Sequence, residues 1–461
     1  MYIQKRYAII FTKHFIDKQL PVCYTYHISS KGGYYLNKEN TLDLPELTPY
    51  TGSAADNILR IALDIGEGLL TNGADVHRVE IAIEKITRAY GVAHVDVFTI
   101  HSLILVAIYM PDGTYSTQSR RIIDTANNIT KLEMYNALSR EICETTPEIA
   151  VVDAKIREIK KERIYPFYLT VIAYFMAAAS FAVFFGGSFL DGIASGCVGI
   201  VMSLFEKVHI EHVNKMVKTA LVSFVAGTLS CLFVRIGFGD NLDMIIIGTI
   251  MLLIPGLSFG NSMRDLLSGD TLTGTIKVVQ AVITAVMMAL GFALALLLVG
   301  DGLNADATVS MPEILAIAVR LIMAVIGTVG FAMIYRVSKK RMLWAGLGGL
   351  FTYAVYELVM QLHGDVLIAS LLAAMFMTLY SEALARIIHA PAVTFLFPCA
   401  IPIVPGGALY RTVYNLLFYN EEKFFYYGKT AVSVALGMAV GMGVASIILG
   451  IILHFKKPVT K

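Results

Sequence analysis

After residue 163 the chain becomes a series of apolar stretches of the length that crosses a bilayer core, which takes about 20 residues of helix. They fall at 165–185, 189–205, 217–235, 243–259 and 273–299, and again at 312–334, 343–361, 365–385, 393–409 and 428–454. Ten such runs leave little besides a polytopic α-helical membrane protein, because in lipid each backbone polar group must be satisfied within its own segment. Composition agrees. Hydrophobic residues make up 56% of the chain and charged residues 16%, against about 45–50% and about 25% in soluble domains, and mean hydropathy is +0.66. A net charge of +2 without a clustered basic face argues against a nucleic-acid partner.

Two of the runs are broken in the same way. Pro255-Gly256 interrupts the fourth, and Pro405-Gly406, 150 positions later, interrupts the ninth. At that offset Asn261 meets Arg411, Asp265 meets Asn415, and Leu266-Leu267 meets Leu416-Leu417. Proline removes an amide donor and glycine lets the backbone leave the helix. Matched breaks in two halves point to a transporter's binding site. The candidate path and gate therefore comprises Pro255, Gly256, Asn261, Arg264, Asp265, Pro405, Gly406, Arg411 and Asn415. Asn261 and Asp265, like Arg411 and Asn415, are four apart and share a helix face. A competing reading makes Arg264, Asp265 and Asp270 interfacial loop residues that only reach water.

Lysine and arginine set the orientation. Lys155, Arg157, Lys160, Lys161 and Arg163 precede the first run, Lys207, Lys215 and Lys218 follow the second, and Arg336, Lys339, Lys340 and Arg341 follow the sixth. Lys456, Lys457 and Lys461 close the chain, and the loop after the fifth run carries Asp301, Asp306 and Glu313. Both termini are expected in the cytoplasm. Five runs per set then invert the second repeat (301–461) relative to the first (164–300), as alternating access by rocking requires.

Charges inside runs are rare and face cavities or partners. Glu357 is the candidate to carry a coupling proton, since a carboxyl taken out of water gives up its proton less readily. Arg320 is its candidate counter-ion, or a bidentate ligand for a substrate carboxylate. A static pair is the plain alternative. Asp191 and Asp365, at outer run ends, read as solvated, and Glu382 and Arg386, four apart, as a local pair.

Before the first run, residues 54–163 hold no apolar run of span length and read as a small cytoplasmic α+β domain. Ile58, Ile61, Ala62, Ile65 and Leu69 recur at helical spacing. Gly73 suits the position after a helix end and Asp75 the cap of a second helix, whose apolar face is Val79, Ile83, Ile86 and Tyr90. Strands follow from Val95 and at Leu103 to Tyr109, with Pro111-Asp112-Gly113 as a turn, and helix returns at Ile129, Leu132, Leu138 and Ile142. His77 and Glu80 are three apart, but no further ligand follows at a telling distance, and His94 and His101 are too far apart in a strand to share a metal. No cofactor or metal is expected. Five cysteines (23, 143, 197, 231 and 399) show no ligand spacing and read as reduced. Residues 1–53 form an unassigned polar tail, without the apolar core and small residues of a cleavable signal.

The text Ile61-Ala62-Leu63-Asp64-Ile65-Gly66-Glu67-Gly68-Leu69-Leu70, then Gly73-Ala74-Asp75 and Arg78-Val79-Glu80, resembles the threonine/serine exporter (ThrE) family. So do Pro255-Gly256 with Arg264-Asp265 and Gly269-Asp270, and the later Pro405-Gly406. The likeness covers roughly 58–455; the 53-residue tail and His101 depart from it. It implies a multi-pass inner-membrane antiporter with ten spans behind a cytoplasmic domain, exporting threonine and serine on the proton motive force. It also marks Asp64, Glu67, Gly73, Asp75, Arg78 and Glu80 as family positions. Separate paired halves of this family are implicated in succinate export, so a dicarboxylate stays open. Protons, lipid and a small-molecule substrate are the partners implied, and self-association is left open. The rival of another class is a membrane-anchored hydrolase working through residues 54–163, for which ten spans are excessive.

Overall fold

The computed structural model describes residues 53–123, 127–162, 165–207, 214–253, 262, 265–266, 269–300, 311–417 and 420–456. Helix α1 (Ala54–Thr71) starts at a capping box in which Ser53 and Asp56 exchange hydrogen bonds. It ends at Gly73, whose φ of 105° is costly for any residue with a Cβ. Helix α2 (Val76–Ala89) follows at once, its first turn capped by Asp75, which accepts from the Arg78 amide at 2.8 Å.

Strands β1 (His94–Ile100), β2 (Leu103–Tyr109) and β3 (Tyr115–Arg121) form an antiparallel sheet in that order. The inward face of β2, Ile104, Val106 and Ile108, is fully buried in one core with Leu59, Ile65 and Leu69 of α1 and Ile83 and Ile86 of α2. Helix α3 (Ile129–Thr145), capped by Asn128, packs on α1 and α2. Helix α4 (Ile149–Lys161) was not foreseen. In the sequence the basic run at 155–163 serves only to set orientation, yet Val152, Ile156 and Ile159 bury one face of a helix that ends in Lys160 and Lys161, where cations meet the negative dipole end.

The apolar runs become α5 (Phe167–Phe184), α6 (Phe189–Lys207), α7 (Lys215–Arg235), α8 (Leu242–Ile250) and α9 (Thr271–Val299), then α10 (Glu313–Ile334), α11 (Met342–His363), α12 (Val366–Ile388), α13 (Val393–Ala400), α14 (Gly406–Leu417) and α15 (Glu421–Lys456). Among the described residues, eight helices are long and apolar enough to cross a membrane, and α13 and α14 are a pair bent by 47° at their break, with the length and composition of one broken span or of a re-entrant loop. The run expected at 243–259 is the nine-residue α8 as far as it is described, so ten spans are not reached in the described residues. The last helix begins at Glu421 rather than 428.

Packing partners recur in the two sets. Helix α7 lies along α9 as α12 lies along α15, α5 packs on α6 as α10 packs on α11, and α8 meets α6 and α7 as α13 meets α11 and α12. Helix α5 against α10 joins the sets. Small residues allow the close approaches: a Cβ at Gly441 of α15 would overlap the Leu371 carbonyl oxygen of α12.

The sheet region sits on one end of the bundle, here termed the near face. Its core includes Ala332, Val337, Ala345, Val393 and Phe397 from α10 to α13. The Ile129 amide donates to the Tyr335 carbonyl at 3.0 Å, and Thr130 Oγ1 donates to the Arg336 carbonyl at 2.6 Å.

Candidate functional site

The break between α13 and α14 has a local cause. Pro398, Pro402 and Pro405 delete three amide donors in eight residues. Val404, preceding Pro405, is extended (φ −64°, ψ 133°), as the residue before a proline tends to be. The chain restarts as helix when the Leu409 amide bonds the Pro405 carbonyl at 2.9 Å. Helix α14 therefore begins inside the bundle, and the first amides of a helix lack intrahelical acceptors and carry its positive dipole end.

That helix start borders a cavity of about 670 Å³ lined by Pro405, Gly407 and Ala408, by Arg320 of α10, and by Tyr353 and Glu357 of α11. The volume falls in the about 300–1,000 Å³ range of small-molecule sites. Arg320 lies fifteen residues before Tyr335, so at 1.5 Å per residue it is about 22 Å along α10 from the contacts with the sheet region. The cavity belongs to the far half of the bundle. Toward the near face, Phe181, Phe184, Phe331, Tyr353 and Ile401 pack into one cluster beneath it.

Arg320 and Glu357, 37 positions apart in sequence, form the pair expected of them. Arg320 Nη2 donates to Glu357 Oε1 at 2.7 Å, Tyr353 Oη donates to Oε2 at 2.9 Å, and Gln361 Nε2 reaches Oε1 at 3.3 Å. The Nε of Arg320 is buried without a hydrogen-bond partner. The Arg320 side chain as a whole stays 31% exposed at the cavity wall, beside a carboxylate whose three contacts are all donors. Tyr353 in turn packs edge-on against Phe184, centroids 4.6 Å apart, and stacks on Tyr356.

The other anticipated residues separate. Pro255, Gly256, Asn261 and Arg264 lie outside the described residues. Asp265 is nearly buried and pairs with Lys277 Nζ at 2.8 Å, on the near face beside His101. Burial, with the positive charges of Lys277 and Lys215, pushes the His101 pKa below its ordinary 6.5, against the pull of Asp265. Arg411 and Asn415 share a helix face as expected but do not line the cavity. Arg411 donates to Asp243 at 2.8 Å and lies over the Tyr427 ring, while Asn415 donates to the Arg411 carbonyl at 2.6 Å. They tie α14 to α8 and α15 on the far face. Asp191, read as solvated, is fully buried. It accepts from the amides of Ser188, Asp240 and Asn241 at 2.7–2.8 Å, because its place at the start of α6 faces the start of α8.

The family positions near the N-terminus are engaged in holding the sheet region. Asp64 and Glu67 share Arg120 of β3. Glu80 accepts from the Thr99 amide at 2.9 Å, and burial raises its pKa. Arg78 leans on Asp75 at 3.7 Å. Tyr353 and Gln361 were missed by sequence reasoning, although each lies four residues from Glu357, the spacing that shares a helix face.

A broken helix beside a charged, half-enclosed cavity in a bundle of spans defines a class, the polytopic helical membrane transporter. Family profiles specify it further. One described as "Putative threonine/serine exporter" matches residues 60–299, and one described as "Threonine/Serine exporter, ThrE" matches 320–448. The chain belongs to the ThrE family. A threonine/serine exporter of Corynebacterium glutamicum is 24% identical over 415 residues, 86% of this chain and 82% of that protein. A "Probable succinate transporter subunit YjjP" of Klebsiella aerogenes is 22% identical over 53% of this chain and 94% of its own. The pheromone-regulated membrane protein 10 of Eremothecium gossypii is 21% identical over 52% of this chain and 33% of its own. No solved structure matches the chain.

Proposed function

We propose that this protein exports threonine, serine or a comparable small amino acid across a cell membrane by proton antiport, with the cavity as its far-side vestibule. The observation that carries this reading is the Arg320–Glu357 pair at the cavity wall. A zwitterion presents one carboxylate and one ammonium. The exposed part of the Arg320 guanidinium suits the first as a charge-assisted donor, helped by the amides at the start of α14, and Glu357 suits the second. Protonating Glu357 would cancel its hold on Arg320 and on an ammonium together, which is the linkage an antiporter needs.

In this reading the two helix sets are inverted repeats, 164–300 and 301–461, behind a cytoplasmic domain at 54–163, with both termini inside. The recurring packing partners support it, as does the placement of Asp265 near the sheet region and Arg411 at the opposite end. Pro255, Gly256, Asn261 and Arg264 would supply the matching break of the first repeat. The test is counterflow in proteoliposomes with labelled threonine, serine and succinate, with and without a pH gradient. Gradient-driven exchange of threonine or serine is expected. Movement of succinate alone would overturn the substrate, and no movement of any solute would overturn the transporter reading.

A further inference from the structure

Helix starts are tied together differently at the two ends of the bundle. On the far face the tie is internal: Asp191, at the start of α6, accepts the Asp240 and Asn241 amides that open α8. The partners corresponding to α6 and α8 in the second set are α11 and α13, which start on the near face. Their tie comes from outside the bundle. Glu133, on α3 of the sheet region, accepts from Thr394 Oγ1 at the start of α13 at 2.7 Å and forms an ion pair with Arg341, the residue that precedes α11. Both partners of that ion pair are largely buried. The Ile129 and Thr130 bonds to the carbonyls of Tyr335 and Arg336, just past the end of α10, lie one turn away on the same face of α3, and Phe397 of α13 packs into the sheet region's core.

We propose that the sheet region is a removable stopper on the near end of the transport path, and that Glu133 is its latch. The cavity lies in the far half of the bundle, so a solute bound there must still cross the packed near half, where α11 and α13 lie against each other. In this structure one carboxylate from another part of the chain bridges those two helices. A tie made within the bundle, as at Asp191, moves with its helices. A tie made by a docked region is released as that region lifts, so the near end can open while the far end stays knit. Glu133 acts as a positioning residue and does not touch the solute. The inference rests on the transporter reading for its purpose, while its structural content can be tested without any substrate.

The native Cys399 supplies the readout. It is fully buried between α13 and α11, with Sγ 3.8 Å from the Ala345 carbonyl, so parting those helices exposes it. In the full-length protein in nanodiscs, with Cys23, Cys143, Cys197 and Cys231 changed to serine, the rate at which a maleimide modifies Cys399 is measured. Glu133→Ala removes both contacts and is expected to raise that rate about tenfold, the size of one charge-assisted hydrogen bond. Glu133→Gln keeps an acceptor for Thr394 and should fall between. An unchanged rate in Glu133→Ala overturns the latch. The pair Glu133→Cys with Thr394→Cys covers the case in which Glu133→Ala folds poorly. Once oxidised and verified by mass spectrometry, it should hold Cys399 labelling, and amino-acid counterflow in proteoliposomes, below about one tenth of the reduced protein's, with recovery on reduction. Equal labelling in both forms overturns the proposal, and so does equal counterflow, because the region would then stay docked through the cycle. Absent counterflow in the unmodified protein strikes the transporter reading instead and leaves the labelling result standing.

Discussion

Glu357→Gln tests the site most directly. The substitution keeps the shape of the side chain and an oxygen for Tyr353, so packing against α10 is preserved while the negative charge is removed. The carboxylate accepts from Arg320 at 2.7 Å and Tyr353 at 2.9 Å. A hydrogen bond to a charged group contributes about 1.5–3 kcal/mol and a neutral one about 0.5–1.5. A substrate ammonium should therefore lose about 1–2 kcal/mol of binding, or about 5–30-fold in apparent affinity. Stability should also fall, because Glu357 is only 12% exposed and its loss of charge leaves a largely buried guanidinium without its counter-ion. The second effect is qualitative. With no proton to exchange at position 357, an imposed pH gradient should no longer accelerate uptake, and exchange without a gradient should persist at raised substrate concentration. The assay is labelled-threonine counterflow in proteoliposomes over a range of substrate concentrations, with and without the gradient. A variant that keeps full gradient stimulation refutes the role of Glu357 in coupling, and one that keeps wild-type affinity refutes its role as the ammonium partner.

Asp191→Ala leaves three backbone amides, those of Ser188, Asp240 and Asn241, without their acceptor. At about 1–3 kcal/mol for a buried unsatisfied donor, a clear fall in thermal midpoint is expected by scanning fluorimetry in detergent. Asp243→Asn breaks a half-exposed pair with Arg411 and should cost no more than about 1 kcal/mol in the same measurement. Gly441→Ala drives a methyl into the Leu371 carbonyl of α12, a backbone atom that cannot rotate aside, and should cost about 1–3 kcal/mol. The burial of His101 should make stability depend on pH with a defined sign. Its folded pKa lies below 6.5, so the unfolded chain binds more protons in the window beneath 6.5. The stability it allows is full above 6.5 and is lost as pH falls from there through the lowered value. Amide exchange at the β1–β2 turn, corrected for intrinsic rates, should rise across that window, and His101→Gln should flatten the response.

Local features of the fold were legible because they are written in neighbouring residues. Gly73 and Asp75 close one helix and open the next as their chemistry demands, and Leu103 to Tyr109 is a strand because alternate side chains face the core. The spans were legible from length and apolarity. Helix α4 was not, since three apolar residues in a basic run carry little signal until α1 and α3 supply the surface they bury against. Of the site, Arg320 and Glu357 were legible as charges where charges are costly. Their junction with Pro405 was not, nor was the placement of Arg411 and Asn415 outside the cavity. Spacing along α14 fixes which residues share a face, not what that face meets.

By itself the sequence determined the solvent of this protein and the points where its helices fail. Transfer of apolar runs into lipid and the missing amides of Pro398, Pro402 and Pro405 act over a few residues and need no partner. Tertiary structure alone decided where the charges that the sequence left unpartnered go. Asp191 turns from a surface residue into a buried cap, and Glu133 bridges helices that begin more than 200 residues later. Such encounters depend on the angle and depth at which whole helices pack, which is a property of the assembled bundle and of no segment within it.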